Sequence, residues 1–267
     1  MTAPPSLSKK NTTTSSFVYQ FNRKFSDANY DICLSRCPKS TPLRSLMNNK
    51  WNMYQFLCKT LGKRVTDDIT PETVRLDGNP PIPFPFYVKC PLGARKEKVY
   101  YVENEVQLGP YLSTPGLIAQ RAIVPDTLDG GKPYNLRLYV LVPRKGEYHM
   151  FDEGIIRISK CCDSKIVNEC TLRRFTEHPE YSTVGPDVMR LMHPVMTSFS
   201  QYGENMFDRD AMLQLYGIDI VVDRQKRPWL IEINSGPAMA KDDMTEVRKQ
   251  ILAQAIDILK IPRGTPS

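Results

Sequence analysis

Histidine is scarce. Only His149, His178 and His193 occur in 267 residues, none with cysteine partners at metal-ligand spacing, so zinc is not expected and any metal must be held by oxygen. The seven cysteines are odd in number and contain no Cys-x-x-Cys pair, and the adjacent Cys161 and Cys162 cannot easily bridge to each other, which points to reduced thiols in a cytoplasmic setting. No run approaches the roughly 20 consecutive apolar residues that a membrane-crossing helix needs, so no membrane association is expected. The opening residues 1–16 are rich in Thr, Ser, Pro and Lys without an apolar secretory stretch, and read as a disordered lead-in. Neither a Gly-x-x-x-x-Gly-Lys-Ser/Thr loop nor a Gly-x-Gly-x-x-Gly after a strand is present, which argues against P-loop and dinucleotide-binding folds. The basic residues, among them Arg44, Lys63, Arg64, Arg95, Lys96, Lys98, Arg173 and Arg174, are scattered outside any nucleic-acid module, and no nucleic-acid partner is expected.

What is there suffices for a substantial core: 41% of the residues are apolar and 24% charged, enough for one large domain or two lobes around a cleft. The formal charge of +7 would concentrate a polyanion, although an ordinary solvated basic surface accounts for it equally well. Apolar positions from Leu43 to Leu61 fit a helical face that Gly62 would stop. The proline-rich stretch Asp77 to Pro85 should be extended or turning, and Phe86-Tyr87-Val88-Lys89 reads as a short buried strand. Further strands are expected over Lys98 to Tyr101, Gly116 to Ile123, Tyr134 to Val142 and, around Gly154, His149 to Ile158. A helix is expected over Asp187 to Tyr202, kinked or broken by Pro194. Ile218 to Asp223 and Trp229 to Asn234 should form an antiparallel hairpin, and Met244 to Leu259 carries a helical stripe at Val247, Ile251, Ala255 and Ile258.

Three polar residues interrupt that hairpin. Period-two alternation sets Glu232 and Asn234 on one face, and pairing would bring Asp219 beside them, giving two carboxylates and an amide suited to magnesium bridging nucleotide phosphates. Ion pairing with a nearby Arg, or exposure on an edge strand, is the competing explanation for each carboxylate. Lys89 ends an apolar strand where its ammonium can reach a phosphate, and Arg137 and Arg157 interrupt apolar runs where burial without an anion is costly.

Four ordered segments carry a resemblance: Tyr134 to Val142, Glu153-Gly154-Ile155-Ile156-Arg157, Tyr216-Gly217-Ile218-Asp219, and Trp229 to Pro237. They resemble the tubulin-tyrosine ligase-like enzymes, with similarity from about Leu43 to Leu259 and Thr70-Pro71-Glu72-Thr73 and Val88-Lys89 in corresponding places. The resemblance implies an α+β ATP-grasp fold, two lobes with antiparallel sheets enclosing a nucleotide cleft. The corresponding division is an N-terminal helical and extended segment over 17–85, a ligase core over 86–262 whose lobes are about 86–125 and about 126–262, and a tail over 263–267. It further implies Asp219, Glu232 and Asn234 as magnesium ligands, Lys89 on phosphate, and Gln120, Arg121, Ala122 and Ile123 in an adenine-binding hinge. Lys132, Asn135 and Asn168 would contact nucleotide, and Arg137 and Arg157 would hold phosphate or the reacting carboxylate. The family usually has Asp where this chain has Asn135, its preceding Lys lies two residues earlier rather than three as Lys132 does, and its glycine-rich phosphate loop is matched only by Gly93-Ala94-Arg95.

The implied function is an ATP-dependent, magnesium-requiring carboxylate-amine ligase. It would add a free amino acid, Tyr or Glu, to an acidic protein tail such as that of tubulin through an acyl phosphate, as a cytoplasmic, microtubule-associated monomer. Two alternatives stand beside it: an ATP-grasp ligase with another acceptor, and a non-catalytic module of the same fold that docks on microtubules or another polyanion.

Overall fold

The computed structural model describes residues 42–77, 82–92, 99–163, 170–202, 215–235 and 244–258. Three helices open it: α1 (Pro42–Asn48), α2 (Lys50–Leu61) and α3 (Lys63–Ile69). The expected single helical stretch is divided at Asn49, whose side chain accepts the Asn52 amide at 3.0 Å and so caps the start of α2. Gly62 ends α2 at φ 85, a left-handed backbone conformation that a residue with a Cβ adopts only under strain.

A four-stranded antiparallel sheet follows, built from β1 (Thr73–Arg75), β2 (Phe86–Lys89), β3 (Val99–Val102) and, after helix α4 (Glu105–Leu112), β4 (Ile118–Arg121), in the order β1-β4-β2-β3. Its core packs Phe86, Val88, Val102, Leu108 and Ala119. Lys98 and the segment Gly93-Ala94-Arg95 lie outside the described residues. The expected strand Gly116 to Ile123 is confined to β4, and α3, α4 and β1 had no counterpart in the sequence reading.

The second sheet has β5 (Thr127–Leu128), β6 (Lys132–Arg144), β7 (Glu147–Met150), β8 (Ile155–Ser159), β9 (Cys170–Arg174), β10 (Leu215–Val222) and β11 (Pro228–Ser235). Its main order is β11-β10-β6-β8-β9, with β5 and β7 also paired to β6. The strand expected from His149 to Ile158 is two strands, because both β7 and β8 must reach β6 and the chain turns between them at Phe151–Gly154.

Helix α5 (Tyr181–Ser200) corrects one of the two expectations at Pro194: the helix is not broken there but runs on through both Pro186 and Pro194. Each interior proline costs about 3 kcal/mol. Val184, Val188, Met192, Val195, Met196 and Phe199 are all fully buried on one stripe, and at about 1.5–3 kcal/mol per side chain that burial outweighs both prolines. The last helix, α6 (Thr245–Ile258), carries the anticipated stripe, with Val247, Ile251 and Ala255 buried.

The two faces of the large sheet are covered differently. One face sends Leu136, Leu138, Val140, Ile156, Ile218, Ile220 and Ile233 into the main core with α1, α2 and α5. The other face sends Tyr139, Leu141, Ile155 and Leu215 against Val247, Ile251, Leu252 and Ala255 of α6. Arg137 of β6, Asp219 of β10 and Glu232 and Asn234 of β11 emerge on this second face.

Candidate functional site

Register assembles the site. Asp219 on β10 stands opposite Arg137 on β6 and opposite Glu232 on β11, and Gly217, one alternation away, stands opposite Asn234. Cross-strand neighbours in an antiparallel sheet project to the same side, so Arg137, Asp219, Glu232 and Asn234 share one face. A bulge after Asp219 lets Leu230 and Ile233, three residues apart, both enter the main core while Glu232 and Asn234 stay on the polar face.

The contacts are short. Arg137 donates Nε to Asp219 Oδ1 at 2.5 Å and Nη2 to Asp219 Oδ2 at 2.8 Å. Asn234 Nδ2 donates to Glu232 Oε1 at 2.9 Å and approaches Asp219 Oδ2 at 3.4 Å. Arg157 Nη1 stands 3.6 Å from Asp219 Oδ1, too far for a hydrogen bond, so its donors are less committed than those of Arg137. Burial would push the Asp219 carboxyl up, but Arg137 and Arg157 beside it hold it well below the usual carboxylate range.

Two lysines enter from the other side. Lys89, at the end of β2, donates Nζ to Gln120 Oε1 at 2.7 Å. Lys50, in the first turn of α2, pairs with Glu232 Oε2 at 2.8 Å, and its backbone amide donates to Pro91 O just beyond β2. Both are only 7% exposed, and burial pulls the Lys89 ammonium down to about 8, with Glu232 raising it and Lys50 lowering it further. The sequence reading missed Lys50. Its signal is position: Met47, Lys50, Met53 and Leu57 recur at helical spacing and are all buried, so a lysine occupies an apolar stripe where it must have a partner.

The remaining candidates are spread around this cluster. The Gln120 side chain is buried against Lys89, and Arg121 lies over the Trp229 ring at 4.8 Å. The backbone amides of Arg121 and Ala122 donate to Glu72 O and Pro85 O, and Ile123 follows directly after. Lys132 begins β6 opposite Leu128. Asn135 stands opposite Arg157, and its Oδ1 is buried without a hydrogen-bond partner among the described residues. Asn168 lies outside the described residues.

Among the described residues four cations, Lys50, Lys89, Arg137 and Arg157, surround two carboxylates, an excess of positive charge that suits a polyphosphate. Asp219 and Glu232 set two carboxylates around the Asn234 amide, residue types that magnesium takes as oxygen ligands, but the amide presents its nitrogen to both carboxylates and would have to turn over to ligate. The buried Asn135 Oδ1 is an acceptor in want of a donor such as a ribose hydroxyl. Among the described residues no group of three or more His, Cys, Asp or Glu is placed to hold a metal, so the candidate set has two carboxylates and depends on the Asn234 amide for a third side-chain oxygen.

The model of the tubulin-tyrosine ligase family matches residues 179–265, the stretch that supplies α5, β10, β11 and α6. The chain is similar to the tubulin-tyrosine ligase family. Tubulin polyglutamylase ttll6 of Danio rerio is 22% identical over 231 residues, 66% of this chain and 28% of that protein. Probable tubulin polyglutamylase TTLL9 of Bos taurus is 24% identical over 155 residues, 46% of this chain and 33% of the relative. Tubulin polyglutamylase TTLL7 of Xenopus tropicalis reaches 33% identity, over only 61 residues. The chain thus spans a third or less of the length of these curated relatives. Its α+β architecture, helices with two antiparallel sheets, is consistent with the ATP-grasp-like fold that the tubulin-tyrosine ligase resemblance implies.

Proposed function

We propose that this chain is an ATP-dependent ligase unit that joins a carboxylate to an amine, adding an amino acid to an acidic protein tail such as that of tubulin. The observation that carries the proposal is that, among the described residues, the buried cations Lys50, Lys89 and Arg137 gather around the carboxylates of Asp219 and Glu232 at the junction of the two sheets. The relatives are named polyglutamylases, which makes glutamate the amino acid to test first and tubulin the first acceptor. In this reading the smaller sheet and its Lys89 form one wall of the cleft, and the larger sheet with Asp219, Glu232 and Asn234 forms the other.

Bound Mg-ATP would supply the γ-phosphoryl group that converts the substrate carboxylate into an acyl phosphate with release of ADP, and the amine would then displace inorganic phosphate as the amide bond forms. The protein's part is positioning and charge compensation. Lys50 and Lys89 would hold phosphate oxygens as compact point charges, and Asp219 and Glu232 would share magnesium with them. Arg137 is anchored through two hydrogen bonds to Asp219 and keeps that carboxylate ionised and oriented. Arg157, with its freer donors, is the guanidinium that would take the substrate carboxylate or the moving phosphate.

Thermal unfolding with ATP, with and without magnesium, tests the site. A ligand at 100 times its Kd that binds only the folded state adds about 2.7 kcal/mol. The wild type should show a magnesium-dependent rise in Tm, and Glu232→Gln should lose the magnesium-dependent part together with incorporation of labelled glutamate into tubulin. A wild type indifferent to Mg-ATP would overturn the proposal. The formal charge of +7 favours one other reading, a non-catalytic module docked on microtubules. Salt-sensitive microtubule binding without ATP turnover would select it.

A further inference from the structure

Lys89 is held from behind by a buried polar chain that reaches β1. Thr73 donates its hydroxyl proton to Pro71 O at 2.9 Å. With that proton engaged, the hydroxyl oxygen accepts from Gln120 Nε2 at 3.1 Å. The amide is thereby oriented so that Gln120 Oε1, and not its NH2 group, faces Lys89 Nζ at 2.7 Å. One end of the chain sets every proton in it: a carbonyl only accepts, so Thr73 must donate to Pro71, must accept from Gln120, and Gln120 must offer oxygen to the lysine. Thr73 and Gln120 are 1% and 2% exposed, so solvent cannot replace either partner. Were the amide to turn over, its NH2 would confront the ammonium donor to donor.

We propose that Thr73 is a positioning residue, which through the fixed amide of Gln120 aims the Lys89 ammonium at a polyphosphate anion in the cleft. The inference rests on the reading of Lys89 as a phosphate contact. It adds a residue on a strand that carries no side chain of the site, and a reason for glutamine rather than a carboxylate beside the lysine. A glutamate at position 120 would compete with phosphate for the ammonium, whereas a neutral carbonyl orients the charge without cancelling it.

The test compares wild type, Thr73→Val and Thr73→Ser by calorimetric titration with Mg-ATP, Mg-ADP and adenosine. Valine keeps the shape but neither donates nor accepts, and serine keeps both roles. Thr73→Val should weaken Mg-ATP and Mg-ADP by about tenfold or more, the loss of one charge-assisted hydrogen bond, and leave adenosine unchanged, with Thr73→Ser close to wild type. A purely structural role would instead weaken adenosine along with the phosphates, and that result overturns the proposal, as does a Thr73→Val protein that binds Mg-ATP like the wild type. A wild type that binds no Mg-ATP fails the ligase reading first and takes this inference with it. Should Thr73→Val not fold, Thr73→Cys, similar in volume and weak in hydrogen bonding, carries the same expectation.

Discussion

Removing Arg137 tests the electrostatic logic of the site most directly. Arg137→Met preserves the long unbranched stem inside β6 but leaves the Asp219 carboxylate, only 8% exposed, without the guanidinium that engages both its oxygens. Breaking one partner of a buried pair typically costs about 3–5 kcal/mol. Arg157 at 3.6 Å and Asn234 at 3.4 Å remain to share the stranded charge, which places the expected loss near the lower end, about 3 kcal/mol. At about 2–4 °C per kcal/mol for a protein approaching this size, Tm should fall by about 6–12 °C. Adding Asp219→Asn removes the stranded charge, so the double variant should be more stable than the sum of the single losses implies, with a coupling of about 1–3 kcal/mol in urea denaturation. Arg190→Met is the control. Arg190 pairs with Asp187 at 2.6 Å on the exposed surface, and its loss should cost no more than about 0.5 kcal/mol. If Arg137→Met proves as mild as Arg190→Met, or the two site substitutions add without coupling, burial is not what gives this pair its weight and the reasoning fails.

Two more perturbations follow from local geometry. His178 accepts the Glu180 amide at Nδ1 and faces Tyr134 Oη with Nε2 at 2.8 Å, and Tyr134 in turn donates to Asp126, itself paired with Lys226. Burial pulls the His178 imidazolium down, with Lys226 adding to the effect and Glu180 and Asp126 opposing it. The folded state therefore prefers neutral histidine: its contribution is complete above the ordinary value of about 6.5 and is lost as pH falls below it. Urea midpoints should drop between pH 7 and pH 5, and His178→Gln should flatten that drop; an unchanged slope would contradict the linkage. Gly154 lies at a close approach, where an added Cβ would stand 2.7 Å from Arg137 O and also meet the Leu138 side chain, so Gly154→Ala should cost about 1–3 kcal/mol or more. Gly109→Ala, in α4 with open space around it, should instead stabilise by up to about 1 kcal/mol, and equal effects at the two glycines would refute the packing argument.

Local pattern made much of this protein readable in one dimension. The strand Phe86–Lys89, the hairpin of β10 and β11 and the stripe of α6 follow from apolar periodicity, a property of residues within a few positions of one another. Glu232 and Asn234 share a face because alternation in a strand requires it. The pairing of Asp219 with Arg137, 82 residues apart, is a matter of register, and period alone could offer ion pairing only as one explanation for the carboxylate beside a magnesium site and an exposed edge. The sequence sets the charges and the alternation, which are local. Tertiary structure decides what no local rule contains: that α5 passes through two prolines because its buried stripe outweighs them, and that a lysine on the apolar stripe of α2 meets Glu232. It also decides that a threonine on β1 orients a lysine on β2 through a glutamine between them on β4. Each of these joins segments distant in the chain, and only packing sets the distance between them.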